Sequence, residues 1–262
     1  MRHLLVTNDF PPKVGGIQSY LYELWRRLPS DEVTVLTADH EGSAEFDAGQ
    51  EYRIERKARP FLLPTPATLA RVRGLADEVG AELVVIDPAL PLGLLGPRLG
   101  RPYAVVLHGA EATVPARLPA ARRALARVLG GAAHLIAASA VAGAEARRLM
   151  GDAIPPTTLV PPGVDVERFR PLSAEEREQA RADLGIGTDE CLVVGVTRLV
   201  PRKGMDTLVA AAAQLAPTHP GLTVAIAGQG RDRERLERQI ARLGAPVRML
   251  GPVPEDRLPA VH

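Results

Sequence analysis

Arg198 and Lys203 stand five residues apart in Val194-Gly-Val-Thr-Arg-Leu-Val-Pro-Arg-Lys-Gly-Met-Asp206. The apolar run Cys191 to Val196 reads as a central parallel strand. Lys203-Gly204-Met205-Asp206 opens an amphipathic helix that continues from Thr207 to Leu215. A guanidinium, an ammonium and a helix N-terminus therefore meet at the carboxyl end of a strand, where open α/β sheets bind ligands. That combination suits a diphosphate. Lysine is rare here: Lys13, Lys57 and Lys203 are the 3 lysines among 32 basic residues. A lysine kept at position 203 points to a compact charge rather than a planar fork. The plainer alternative is a pair of solvated loop charges.

Two glycine turns and a histidine share this layout. Asn8-Asp-Phe-Pro-Pro-Lys-Val-Gly-Gly16 joins the first strand to the first helix, and Gly15 and Gly16 would let a phosphate approach the backbone. The loop lacks the G-x-G-x-x-G spacing of a dinucleotide fingerprint, so it is equally readable as a tight turn. His108 ends the strand in Tyr103-Ala-Val-Val-Leu-His-Gly-Ala-Glu111, in the crevice region; a histidine capping a turn is the alternative. Gly228-Gln-Gly230 repeats the strand, glycine, helix order, either for a nucleotide or for a tight turn.

The chain of 262 residues has room for two modest domains. Its 46% hydrophobic content fits an ordinary core, and a net charge of +1 gives no global pull on nucleic acid. Aromatic residues are only 3%, which disfavours stacking platforms for bases. The single Cys191 excludes a disulfide framework and is expected to be a small buried hydrophobe in a reducing compartment. No apolar run reaches the ~18 residues of a membrane span, and Met1-Arg2 with a five-residue strand is no signal peptide.

The elements that position these residues alternate. Strands are expected at His3–Thr7, Val33–Thr37, Tyr52–Glu55, Leu83–Ile86, Tyr103–Leu107, Leu135–Ala138 and Thr157–Val160. Helices are expected at Gly16–Leu28, Pro66–Val79, Leu118–Leu129 and Val141–Met150, with residues 38 to 51 a loop. This alternation predicts a doubly wound parallel α/β domain over residues 1–160. Pro161-Pro-Gly-Val-Asp165 breaks the pattern, and 161–172 reads as a linker. Ser173-Ala-Glu-Glu176 is a capping box opening a helix to Leu184. Strand Cys191–Val196, helix Thr207–Leu215, strand Leu222–Ala227, helix Asp232–Leu243 and strand Val247–Leu250 follow. Residues 173–262 thus read as the first half of a second Rossmann-like domain, whose open edge predicts low stability and aggregation.

Five stretches, in order, carry a resemblance. They are Asn8-Asp-Phe-Pro-Pro to Gly-Gly-Ile-Gln-Ser-Tyr20, Val160-Pro-Pro-Gly-Val-Asp-Val-Glu-Arg-Phe169, Gly195-Val-Thr-Arg-Leu-Val-Pro-Arg-Lys-Gly204, Ile226-Ala-Gly-Gln-Gly230 and Met249-Leu-Gly-Pro-Val253. Over its whole length the chain resembles the family 4 retaining glycosyltransferases of GT-B fold, most closely the actinobacterial mannosyltransferases of phosphatidylinositol mannosides. The resemblance implies two Rossmann-like domains and a nucleotide-sugar donor, GDP-mannose before UDP-sugars. Arg198 and Lys203 would hold the diphosphate, joined by Gly15, Gly16, Gly228, Gly230 and Val253, and His108 would touch the donor sugar. Transfer would retain configuration without a metal or other cofactor. No D-x-D motif occurs, and Asp165-Val-Glu167 lies in the linker rather than in a metal site. The family's later glutamate-rich loop and final helix do not follow residue 262, so a fragment without catalysis, at most a phosphate-binding module, is the competing expectation. A GT-B epimerase or phosphorylase is a third, disfavoured by Gly195 to Gly204.

Helix Leu118–Leu129 bears on the acceptor. Leu118, Ala121, Leu125, Val128 and Leu129 share one face, with Arg123 and Arg127 opposite and Arg122 at the flank. Such a helix either rests on an anionic bilayer or is an ordinary domain helix with solvated arginines. With a glycolipid acceptor, the expectation is a cytoplasmic protein in peripheral contact with the inner face of the plasma membrane, and no nucleic-acid partner.

Overall fold

The computed structural model describes residues 1–58, 61–109, 118–187 and 190–261, so Ala110 and Glu111 lie outside the described residues. The chain forms two compact units, Met1–Gly163 and Val164–His262.

Among the described residues, the first unit is built on seven strands: β1 (His3–Thr7), β2 (Val33–Ala38), β3 (Arg53–Lys57), β4 (Leu83–Asp87), β5 (Tyr103–Leu107), β6 (His134–Ala137) and β7 (Thr157–Leu159). All neighbours pair in parallel, in the order β3-β2-β1-β4-β5-β6-β7. The continuous apolar runs encode burial on both faces. Leu4, Val6, Val84, Ile86, Val105 and Leu107 point into one core, and Leu5, Val35, Val85, Ala104 and Val106 into the other. The first core is closed by α3 (Pro66–Glu78), α4 (Pro119–Gly130) and α5 (Ala140–Met150); the second is closed by α1 (Gly16–Trp25).

Three local expectations differ from what is found. The first helix ends at Trp25, and its last residues tighten into turns from Arg27 N–H to Leu24 and Leu28 N–H to Trp25, because Pro29 disfavours helix before it. Residues 38 to 51 contain a short helix, α2 (Ser43–Ala48). Tertiary contacts hold it: Phe46 packs edge-on against Phe10 and Tyr22, and Asp47 pairs with Arg56 at 2.8 Å. The third strand starts one residue later and ends two residues later than expected, and Arg53, Glu55 and Lys57 suit the sheet edge it occupies.

Among the described residues, the second unit has three parallel strands in the order β10-β9-β8, with β8 (Cys191–Val196), β9 (Leu222–Ala227) and β10 (Val247–Gly251). Its helices include α6 (Ala174–Asp183), α7 (Met205–Leu215), α8 (Arg233–Leu243) and α9 (Leu258–Val261). The capping box forms: Ser173 N–H donates to Glu176 at 2.8 Å and Glu176 N–H to the Ser173 hydroxyl at 3.2 Å. Arg170 grips the same carboxylate and, with that cap, holds it down at about 2.

The expected central strand is corrected here. All six residues of β9 are buried, so β9 is the central one, whereas β8 forms an edge and Cys191 is exposed rather than buried. An apolar run reports that a strand's faces can be covered, but it does not report which neighbours pair with it. Among the described residues, no strand covers the outer side of β8.

Tyr103 fixes the packing of the first unit around β5. Its hydroxyl donates to the Val128 carbonyl at 2.6 Å, and its ring leaves no room for side chains at Gly96 or Gly131. A Cβ on Gly96 would stand 2.5 Å from the ring. Gly96→Ala is expected to destabilise the first unit by about 1–3 kcal/mol through overpacking. Urea unfolding followed by Trp25, the single tryptophan and 3% exposed, reads this directly. An unchanged midpoint would contradict it.

Candidate functional site

The first unit gathers its chemistry at one point of the sheet. From β1 the chain winds outward through β2 and β3, then returns to place β4 on the other flank of β1. This reversal leaves a crevice beyond the carboxyl ends of β1 and β4, where open α/β sheets take ligands. Thr7 and Asp87, the last residues of the two strands, are register partners. The glycine loop leaves from one and His108 follows the neighbouring β5.

The glycine loop is held on several sides. Asn8 makes two bonds with the Leu62 backbone, at 3.0 and 2.6 Å. Arg56, only 7% exposed, donates to the Pro11 carbonyl at 2.6 Å, to Ala38 and to Asp47. Asp9 takes the Lys13 ammonium at 2.7 Å and the Gln18 amide at 2.5 Å. Lys13 is therefore an ion-paired group. Gly15 precedes α1, whose N-terminus carries no side-chain cap and no acidic residue in its first turn. Nothing lies within 4 Å of where a Cβ on Gly16 would stand, so packing does not require glycine there.

His108 is placed by Asp87. Its Nε2 lies 2.9 Å from Asp87 Oδ1, and the Tyr20 ring stands edge-on to it at 5.4 Å. Asp87 is fully buried, and burial pushes its carboxyl up while the bonds from His108 and Thr7 pull it back. The Thr7 hydroxyl donates to Asp87 Oδ2 at 2.9 Å and accepts the Asp9 N–H at 2.8 Å. Asp87 escaped the sequence reading, which ended its strand at Ile86. The available signal was an acid at the end of an apolar run just before Pro88, the position His108 takes in β5.

In the second unit the loops after the three strands are stitched together. Thr197 N–H bonds Ala227, Leu199 N–H bonds Gln229, Asp232 N–H bonds Leu199 and Gly228 N–H bonds Gly251, at 2.7 to 3.1 Å. Gly228 and Gly230 have φ of 132° and 158°, and a Cβ on either would run into the carbonyl of Thr197 or Leu199. These glycines serve the close stacking of two loops, one of which carries Arg198. Lys203 closes the short 3₁₀ turn Pro201–Lys203, and Gly204, at φ 69°, starts α7 without a side-chain cap. Val253 follows β10 and is half-buried.

Arg198 and Lys203 are exposed, and among the described residues neither has an ion-pair partner. Arg202 and Arg231 on the same loops are also exposed without one. The neighbouring Arg235, by contrast, is paired with Asp232 at 2.7 Å and Asp206 at 3.4 Å, and holds the Asp232 carboxyl down. Arg231 was not singled out from the sequence, where it is one arginine among many.

Helix α4 buries Leu125, Val128 and Leu129 in the core of the first unit. Its apolar face is occupied by that core, while Arg122, Arg123 and Arg127 are exposed. Among the described residues, no helix is long and apolar enough to cross a membrane.

Two parallel α/β units, with the candidate-site loops at the carboxyl ends of their strands, have the GT-B fold. Residues 14–168 match Glycosyltransferase Family 4, and residues 176–262 match Glycosyl transferases group 1. The chain belongs to Glycosyltransferase Family 4. It is 37% identical over 272 residues to a GDP-mannose-dependent alpha-(1-6)-phosphatidylinositol monomannoside mannosyltransferase of Mycolicibacterium smegmatis, covering 99% of this chain and 69% of that protein. It is 31% identical to a GDP-mannose-dependent monoacylated alpha-(1-6)-phosphatidylinositol monomannoside mannosyltransferase of Corynebacterium glutamicum, covering 95% and 66%. Among solved structures, Anabaena HepE in complex with UDP superposes with a TM-score of 0.80 at 21% identity, covering 99% of this chain and 71% of HepE. WaaG, a glycosyltransferase involved in lipopolysaccharide biosynthesis, gives 0.67 at 17% identity, covering 98% and 71%.

Gly16 separates folding from binding. Gly16→Ala is expected to leave the fold intact or to strengthen α1 by about 0.5–1 kcal/mol. The same methyl group should obstruct a phosphate at the helix N-terminus and weaken nucleotide binding about tenfold or more. Thermal melts and calorimetric titration with GDP measure the two effects; unchanged affinity would remove Gly16 from the site.

Proposed function

We propose that this chain transfers mannose from GDP-mannose to a phosphatidylinositol mannoside acceptor, with retention of configuration. The observation that carries this reading is the cluster of exposed cations, Arg198 and Lys203 above all, at the carboxyl end of β8. Support for the donor and acceptor comes from the 37% identity over 99% of the chain to a mannosyltransferase of that description. Arg198 and Lys203 take the diphosphate and neutralise charge as the bond from the sugar C1 to the phosphate oxygen breaks. The acceptor oxygen attaches to C1 from the same face, and its proton passes to the leaving phosphate oxygen, so no protein base is required. Gly15 and Gly16 leave the α1 N-terminus open to phosphate, and Val253 lines the donor loops. His108 contacts the sugar. The proposed chemistry uses no metal, in keeping with a sequence that lacks D-x-D.

Arg198→Ala or Lys203→Ala is expected to lower kcat about 10²–10³-fold. Calorimetric titration should show GDP-mannose binding in preference to UDP-glucose, and loss of that binding in the double variant. Equal affinity for both sugar nucleotides would overturn the donor assignment. Selective binding of UDP-glucose would favour a UDP-sugar transferase.

The acceptor is a membrane lipid, so we place the exposed Arg122, Arg123 and Arg127 of α4 against anionic headgroups. Because the apolar face of α4 is buried, this contact is electrostatic and should weaken with salt. The triple serine variant is expected to co-sediment less with vesicles containing phosphatidylinositol. Unchanged co-sedimentation would sink the membrane role of α4.

A further inference from the structure

The geometry points to Asp87 as the positioning residue that fixes the orientation and tautomer of His108. The inference rests on the reading of His108 as the contact to the donor sugar.

Three strand ends converge on this carboxylate. Asp87 closes β4, Thr7 closes β1 and His108 follows β5, so the contact is made by strand order rather than by sequence proximity. A fully buried carboxyl group is costly unless its oxygens are satisfied. Both are: Oδ2 accepts the Thr7 hydroxyl at 2.9 Å, and Oδ1 lies 2.9 Å from His108 Nε2. The Thr7 hydroxyl donates to Asp87 and also accepts the Asp9 N–H at 2.8 Å. Asp87 therefore acts as an acceptor toward Thr7, and its second oxygen faces a ring nitrogen that can donate. The arrangement fixes the proton on Nε2 of His108.

Tyr20 limits the remaining freedom of the ring. It stands edge-on to His108 at an interplanar angle of 86°, and its hydroxyl is tied to the Val160 carbonyl at 2.7 Å. The imidazole is 11% exposed. Asp87 holds the ring at Nε2 and Tyr20 packs against it, so its plane is set before any donor binds. Pre-setting a sugar contact in this way removes the ordering cost at binding. Asp9 extends the chain of contacts to the glycine loop, since the same carboxylate that holds Lys13 and Gln18 belongs to the residue whose N–H meets Thr7. The phosphate loop and the sugar contact thus share one buried anchor.

The decisive measurement is the ¹⁵N spectrum of histidine-labelled protein, with the His108 signals among the 6 histidines assigned by His108→Gln. The wild-type ring should carry its proton on Nε2. In Asp87→Asn the amide can donate to Nε2, and the ring proton should move to Nδ1. The preference for GDP-mannose over GDP, read as a ratio of Kd values, should fall about tenfold in both Asp87→Asn and His108→Ala. Thr7→Val, which removes one support of Asp87 without touching His108, should give a smaller fall.

A wild-type His108 protonated on Nδ1 overturns the inference, and this needs no variant to fold. A ring proton that stays on Nε2 in Asp87→Asn overturns it as well, even where His108→Ala binds poorly. A His108→Ala protein that retains the full preference for GDP-mannose overturns the role assigned to His108 itself, whatever the spectra show of its pairing with Asp87.

Discussion

Parallel strands must all present their carboxyl ends along one edge of the sheet, and the placement of the candidate site follows from that constraint. In the first unit it brings the ends of β1, β4 and β5 side by side, although residues 7, 87 and 108 are far apart in sequence. The reversal of strand order at β1 and β4 then opens the crevice at the same place. Apolar runs buried on both faces hold the strands in register, so the polar residues that end them cannot drift without disturbing two cores. Rigidity at the site is thus a consequence of packing further down the strands.

The two candidate sites treat charge in opposite ways. Around the glycine loop and His108, the first unit pairs its charged groups. Asp87 is satisfied by Thr7 and His108, Lys13 by Asp9, and the nearly buried Arg56 by Asp47 and two carbonyls. Removing one partner from such a set strands the other, which is why these contacts order loops more than they add stability. The second unit leaves Arg198, Arg202, Lys203 and Arg231 exposed without carboxylate partners among the described residues, while the adjacent Arg235 is fully paired. Lys13 and Lys203 are two of the 3 lysines, and each sits in a loop between a strand and a helix. Their surroundings differ, since Lys13 is bound into its own loop and Lys203 is not.

Much of the architecture was legible because periodicity and punctuation are local signals. Strand Leu222–Ala227 and the Ser173–Glu176 capping box appear where the pattern placed them. What was not legible depends on neighbours. The run Cys191–Val196 announces coverable faces, yet strand order makes β8 an edge and exposes Cys191. The helix Ser43–Ala48 is polar and short, and exists through Phe46 and the Asp47–Arg56 pair. The sequence marks Asp87 only as an acid ending an apolar run; its partners Thr7 and His108 lie on neighbouring strands and are set by strand order. Gly228 and Gly230 are readable in sequence as a nucleotide approach or as a tight turn; the close stacking of two loops, which leaves no room for a Cβ, comes from Thr197 and Leu199 on another loop.

That stacking explains why the cations of the second unit can remain unpaired. Like charges on adjacent loops repel, and a flexible loop would relieve the repulsion by moving away or by finding a carboxylate. Bonds from Thr197, Leu199 and Asp232 to the facing backbone remove that freedom, and Gly204 ties Lys203 to the start of α7. The unsatisfied field is therefore built into the backbone. An anion entering it would gain the attraction without reorganising the loops, which is the electrostatic preorganisation that the proposed diphosphate contact would need. A carboxylate placed nearby would improve the stability of the empty unit and would compete with the ligand for the same cations.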